Sequence, residues 1–366
     1  MMRVAWLGKL LVAAAAAAIC TSAVGLAAVA APEDRQLESI DWSIQRGGSR
    51  ADGSKVQLTI ESRWNSNSRS MWSNDRPIGE LSGLSAAQLI GPAAPVRFVL
   101  GGEAGRLDCA GNAGRLSGSG PCSFTPNPAF GAYLQARNMG TPTRQQAFSL
   151  TMSGVGRDLI DALDKSGFER PNIEQLTAMG IHGANANFVR ALSGLGYRLT
   201  ADDVVAFKIH GVEPDYIRAL APIAPKLRHI SASDLVSLKI HGVEPQFVRA
   251  MASRGPQFEE VTADDLVSMA IHGVRPELAG SYVRLEGGAL RSDDLVSMAI
   301  HGVTADYIEQ IAALGYHNLS ADGLVSMAIH GVTPDYVRSL RRAGMAPVSA
   351  DQLVKLRLSG FDPDAR

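Results

Sequence analysis

Six histidines recur through the second half of the sequence, His182, His210, His241, His272, His301 and His330, at intervals of 28, 31, 31, 29 and 29 residues. Imidazole at regular spacing suits three kinds of chemistry: ligation of a metal or haem, a charge switch near neutral pH, and hydrogen bonding to the carbonyls that end a helix. The neighbouring residues favour the third. Each histidine sits in Ile-His-Gly-Val or, at Ile181–Ala184, a close variant. The glycine can turn left-handed to stop a helix, and the valine behind it supplies the apolar contact of a Schellman-type stop. A zinc ion needs its ligands about 2.0–2.1 Å away, whereas equivalent residues of stacked repeats stand roughly 8–10 Å apart. No cysteine or paired carboxylate recurs beside the histidines. A metal- or haem-binding protein using the six histidines is the alternative reading.

A fixed period of about 29–31 residues marks a repeat array. Within one copy, such as Leu319–Ala343, the local signals agree. Thr200, Ser231, Thr262, Ser292, Ser320 and Ser349 stand where an N-cap belongs, most of them followed three residues later by Asp or Gln in capping-box spacing. Leu324, Val325, Met327, Ala328 and Ile329 predict an apolar stripe on the first helix. Thr333-Pro334-Asp335 then starts a second helix carrying Tyr336, Val337 and Leu340. Helices of about ten residues are too short to persist alone, so stacking must stabilise them. Six full copies are expected between Asn172 and Ala346. Val155–Phe168 reads as a lone lead-in helix and Ala350–Phe361 as a terminal copy in which Ser359 replaces His. Thus 151–366 reads as an α-solenoid with atypical end caps.

Residues 38–150 read differently. Lys55–Trp64 alternates with period two, and Asp41–Arg46, Val96–Leu100, Arg106–Ala110 and Ser117–Phe124 are further short strands, the last two rich in glycine. Ala129–Asn138 reads as a short helix. The fold class is therefore α+β multidomain, a small β-rich domain followed by a helical-repeat domain. Trp64 and Trp72 flank the polar stretch Asn65–Ser70 and are candidate contacts for a sugar or peptide ligand. Recognition of peptidoglycan or a β-lactam there is a second alternative function.

Residues 1–30 read as a signal peptide: Arg3 and Lys9 precede the apolar run Leu10–Ala31, and Ala28-Val29-Ala30 fits a small-x-small cleavage site. The expected location is periplasmic or secreted. The run is long enough to span a bilayer, so an uncleaved inner-membrane anchor is the alternative, and the only expected membrane association. Outside the cytoplasm, Cys109 and Cys122 are candidates for one disulfide.

Charge narrows the partners. Residues 31–150 carry 12 basic and 10 acidic side chains, but residues 151–366 carry 21 and 26, a net −5. An acidic repeat region argues against nucleic acid. No His-Glu-x-x-His motif occurs, and no nucleophile is paired with a base. We therefore expect no enzyme and no cofactor.

The pattern Leu-Val-Ser-Met-Ala-Ile-His-Gly-Val-Thr-Pro-Asp-Tyr resembles helix-pair repeats of bacterial envelope proteins, similar to those appended to some BlaR/MecR-like sensor peptidases. The resemblance covers residues 172–361, and more weakly Gly118–Phe130, which is similar to a glycine-rich β module that precedes such repeats. The peptidase motif and its multi-span membrane region have no counterpart in this sequence. The resemblance implies a sensor or interaction scaffold with a protein partner in the cell envelope.

Overall fold

The structure, a computed structural model, describes residues 37–45, 52–64, 68–228, 230–258, 260–285, 290–345 and 348–363. The expected signal peptide lies outside them. Among the described residues no helix is long and apolar enough to cross a membrane.

Six strands form one antiparallel sheet: β1 (Leu37–Ile44), β2 (Lys55–Trp64), β3 (Arg69–Pro77), β4 (Ala94–Gly102), β5 (Gly105–Gly114) and β6 (Ser117–Pro126), ordered β3-β2-β1-β6-β5-β4. Two three-stranded meanders thus meet along the β1–β6 pair. Period two puts Ile40, Trp42 and Ile44, and likewise Val56, Leu58 and Ile60, on the covered face. Trp42 explains Gly118 on the facing strand. Its register partner is Gly120, and a Cβ on Gly118 would lie 2.9 Å from its ring. The indole N–H donates to the Ala110 carbonyl at 2.9 Å, and Phe98 meets the ring edge-on at 5.0 Å. Between β5 and β6 themselves, a Cβ on Gly111 would lie 2.2 Å from the Ser119 carbonyl oxygen. Cys109 and Cys122 stand opposite each other in this pair, with sulfurs at the disulfide distance of 1.97 Å.

Strand β3 and the short helix α1 (Ala86–Ile90) were not expected from the sequence; β3 is largely polar because it is an edge strand with much of its surface exposed. Helix α2 (Pro128–Gln135) starts at the Asn127 cap, and α3 (Arg144–Met152) follows under a Thr143–Gln146 capping box. Ala147, Phe148 and Met152 of α3 pack into the sheet core, while Leu150 joins the helical core. The expected domain boundary at Leu150 therefore falls inside a helix shared by both cores.

The expected lead-in helix, α4 (Arg157–Ser166), is not alone. It pairs with α3 as a seventh helix pair, offset by 29 residues from the next. Thr143, Gly154 and Gly167 correspond to Asn172, Gly183 and Gly196, and Ser153 stands in the histidine position. Six further pairs follow among the described residues. They are α5 (Ile173–Ile181) with α6 (Ala186–Ser193), α7 (Ala201–His210) with α8 (Pro214–Leu220), and α9 (Ala232–Ile240) with α10 (Pro245–Ala252). Next come α11 (Ala263–Ile271) with α12 (Pro276–Arg284), α13 (Ser292–Ile300) with α14 (Ala305–Ala313), and α15 (Ala321–Ile329) with α16 (Pro334–Arg342); α17 (Ala350–Leu358) closes the series. Odd-numbered helices from α3 to α17 pack in sequence on one another, and even-numbered ones from α4 to α16 do the same. The result is two layers with an apolar core between them, followed at the last helices by a separate cluster that includes Ile311, Met327 and Leu340.

Each turn between paired helices is built alike. The glycine after the histidine position takes φ of +67° to +76° from Gly154 to Gly360. The next residue donates its N–H to the carbonyl five positions back, as in Val303 to Met298 at 2.9 Å and Val332 to Met327 at 2.9 Å. Where that residue is a valine it is buried, and in two turns its own carbonyl accepts the hydroxyl of a tyrosine from the preceding pair: Tyr216 to Val243 at 2.7 Å, Tyr307 to Val332 at 2.8 Å. One cap departs from expectation. Arg291, not Ser292, is the N-cap of α13, its backbone N–H and guanidinium both bound to the Asp294 carboxylate. Ser292 cannot cap because it is already the first helical residue.

Two predictions follow from this geometry. Nothing lies within 4 Å of a Cβ on Gly302, whose φ is +76°, so Gly302→Ala carries only the left-handed backbone cost, about 1–2 kcal/mol. Hydrogen exchange at the Val303 amide should then speed up by roughly tenfold. Burial pushes the Tyr307 hydroxyl up to about 12 from its ordinary 10.0, and raises Tyr216 further. The folded state keeps the proton that the unfolded chain releases near pH 10, so this stabilisation is present below pH 10 and lost as pH rises through 12. Helical circular dichroism should fall in that window, and the Tyr216→Phe, Tyr307→Phe double variant should shift the fall to higher pH.

Candidate binding face

The histidines end their helices through the backbone. In five of the six copies the histidine is the C-cap residue, with φ between −87° and −94°; His210 is the last residue of α7, with Gly211 as its cap. Among the described residues only the His301 ring takes part, its Nδ1 lying 2.8 Å from the Ser297 carbonyl oxygen. The rings of His182, His210, His241, His272 and His301 are exposed, and that of His330 is half-buried. No group of three or more His, Cys, Asp or Glu among the described residues is arranged to hold a metal ion.

The isoleucine beside each histidine gives a sharper result. Ile181, Ile209, Ile240, Ile271, Ile300 and Ile329 are 53–57% exposed, although Leu324 and Met327, the inward residues of the same helix as Ile329, are completely buried. The expected apolar stripe is thereby corrected at its last member. Two positions beyond Met327, Ile329 is rotated by about 200° and faces away from the core. Leu358 of α17 extends the row at 64% exposure.

The row is one column of a wider face. Seven residues before each isoleucine, two helical turns away on the same side, lies an exposed polar residue. These are Glu174, Asp202, Ser233, Asp264, Asp293 and Asp322, with Asp351 ahead of Leu358. Half-buried Val205, Val236, Val267 and Val296 fill the space between the two columns. Among the described residues these carboxylates form no ion pair, and Asp202 accepts only an amide hydrogen bond from Gln175 at 3.3 Å. Of the nearby cations, Lys208 and Lys239 pair with Glu213 and Glu244, while Arg291, bound to Asp294, also attracts Asp293 and Asp322. On the layer of even-numbered helices several exposed charges pair, as in Arg190 with Asp158, Arg218 with Asp215, and Arg338 with Asp335.

The two tryptophan candidates separate. Trp64 is fully buried, edge-on to Phe148 at 5.6 Å, and its N–H donates to Ser62 Oγ at 3.0 Å. Its even position puts it on the same side of β2 as Val56, Leu58 and Ile60, so it is a core residue and not a ligand contact. Trp72 is half-buried on the edge strand β3 and lines a groove of about 550 Å³ with Met71, Arg76, Met152, Gly180 and Ile181. That groove joins the sheet to the first exposed isoleucine. The sequence held a signal for the row that periodicity alone did not weigh: inward positions vary among Leu, Met and Phe, while the outward isoleucine is the same in all six copies.

Comparison with protein-family models, with curated proteins and with solved structures finds no match to this chain.

The orientation of the row predicts unequal costs two residues apart. Ile271→Ser should change stability by no more than about 0.5 kcal/mol, whereas Met269→Ala, at a fully buried site, should cost about 2–5 kcal/mol. Urea unfolding of both variants checks this.

Proposed function

We propose that this chain is an exported, non-enzymatic protein of the bacterial envelope whose helix pairs stack into an α-solenoid and bind another protein along the isoleucine face. The observation that carries the reading is the exposure of six identical large apolar side chains in one column. A soluble monomer rarely exposes contiguous apolar patches beyond a few hundred Å², and larger ones mark interaction sites. Repeat stacks present extended surfaces of this kind. The packing of each helix on the helix two positions along the chain supports the solenoid. Export is supported by the leader's composition and by the Cys109–Cys122 pairing, which suits an oxidising compartment. The similarity of the repeats to those of envelope sensor proteins points the same way.

Photo-crosslinking in intact cells tests the proposal. A photoreactive residue at Ile240, Ile271 or Ile300 should trap one and the same protein, and the same residue at Asp215 or Arg249 on the opposite layer should not. Equal trapping from both layers, or none from the isoleucine positions, overturns it.

A further inference from the structure

The isoleucine face has a pitch, a charge and an aromatic head, and together they constrain what can lie on it. Packed helices stand roughly 8–10 Å apart, so the isoleucines recur at about that interval along the stack. A β-strand laid along the row presents side chains to one side about every 6.7 Å and falls out of step by the second rung. An α-helix returns a residue to the same face after seven positions, about 10.5 Å, just outside the range. Polyproline II conformation has three residues per turn and about 3.1 Å per residue, a repeat of roughly 9.3 Å within it. The charge beside the row is predominantly acidic: Glu174, Asp202, Asp264, Asp293, Asp322 and Asp351 are exposed without close ion pairs among the described residues, and Arg291 is a cation that Asp293 and Asp322 attract. At the head of the row, the groove beside Ile181 is lined by Trp72, with Met71 63% exposed at its rim. Trp72 is the one aromatic side chain in a lining that is otherwise largely polar, and an aromatic face is a usual seat for proline.

We propose that this face seats an extended, proline-bearing segment of a partner protein in polyproline II conformation, three of its residues per repeat. Every third residue, apolar, packs between successive isoleucines. Lysines or arginines at the position before it reach the carboxylate column, and a proline at one end packs on Trp72. The inference rests on the protein-binding reading above and specifies the partner's chemistry. A row of seven half-exposed aliphatic residues offers on the order of 700 Å² of apolar surface, close to the roughly 800 Å² that each partner gives to a standard interface. A segment of about 21 residues would cover it.

Three fluorescein-labelled peptides test this by anisotropy with the full chain: Leu-Pro-Lys repeated seven times, Leu-Pro-Lys-Lys repeated five times, and Leu-Pro-Glu repeated seven times. The first should bind at least tenfold more tightly than either of the others. Its affinity should fall at least tenfold in the Ile240→Ser, Ile271→Ser, Ile300→Ser triple variant and stay unchanged in Arg249→Ser on the opposite layer, with helical circular dichroism the same in all. Equal binding of the three- and four-residue peptides overturns the register, and binding of the glutamate peptide overturns the charge assignment. Sedimentation showing a dimer that Ile271→Asp dissociates would mean that a second copy covers the row, and would also overturn the proposal. Failure of all three peptides alongside successful crosslinking in cells would sink this inference and leave the broader protein-binding reading standing.

Discussion

The hydrogen bond from each turn valine to the carbonyl five residues behind it is the interaction on which the helical part depends. It closes the first helix of a pair, and it forms only because the preceding glycine turns left-handed at little cost. The same valine buries its side chain between the layers. In the pairs that supply Tyr216 and Tyr307, the carbonyl of the next turn valine is also taken by a tyrosine hydroxyl from the preceding pair. One residue thus ends a helix, fills the core and ties two repeats. A helix of nine or ten residues, marginal alone, is held by a stop that its neighbours also grip.

The sheet is organised around a different constraint, the bulk of Trp42. Its ring needs side-chain-free backbone beside it, which Gly118 provides, and its N–H needs an acceptor, which Ala110 provides. Helix α3 then joins the two parts. Phe148 and Met152 face the sheet while Leu150 faces the helices, so the first pair of the stack has a sheet on its outer side. This accounts for its divergence: Met152 occupies the outward isoleucine position and is buried where its six counterparts are exposed. A repeat whose outward residue has become a core residue no longer looks like a repeat in sequence.

Much of the architecture was legible from local chemistry. The period of the Ile-His-Gly-Val units located six helix pairs, the Thr and Ser caps located most of their starts, and alternation located β2 over its full length. Cys109 and Cys122 were paired correctly from their number and spacing. Strand β3 escaped because an exposed edge strand carries no apolar alternation, and the seventh pair escaped because Met152-Ser153 stands in place of the Ile-His half of its signature. Trp64 was misjudged through its neighbours in sequence, where its parity along β2 already placed it with Ile60.

The sequence by itself determined the repeats, their turns and the presence of a β-rich part, because helix stops, caps and period-two alternation are set by residues within a few positions of one another. Only the tertiary structure decided which side of each helix meets the core. Ile271 and Met269 are both apolar and two residues apart, and stacking buries one and leaves the other outside. The candidate site is a product of that choice: a column exists only when separate helices align, and no residue carries the alignment alone.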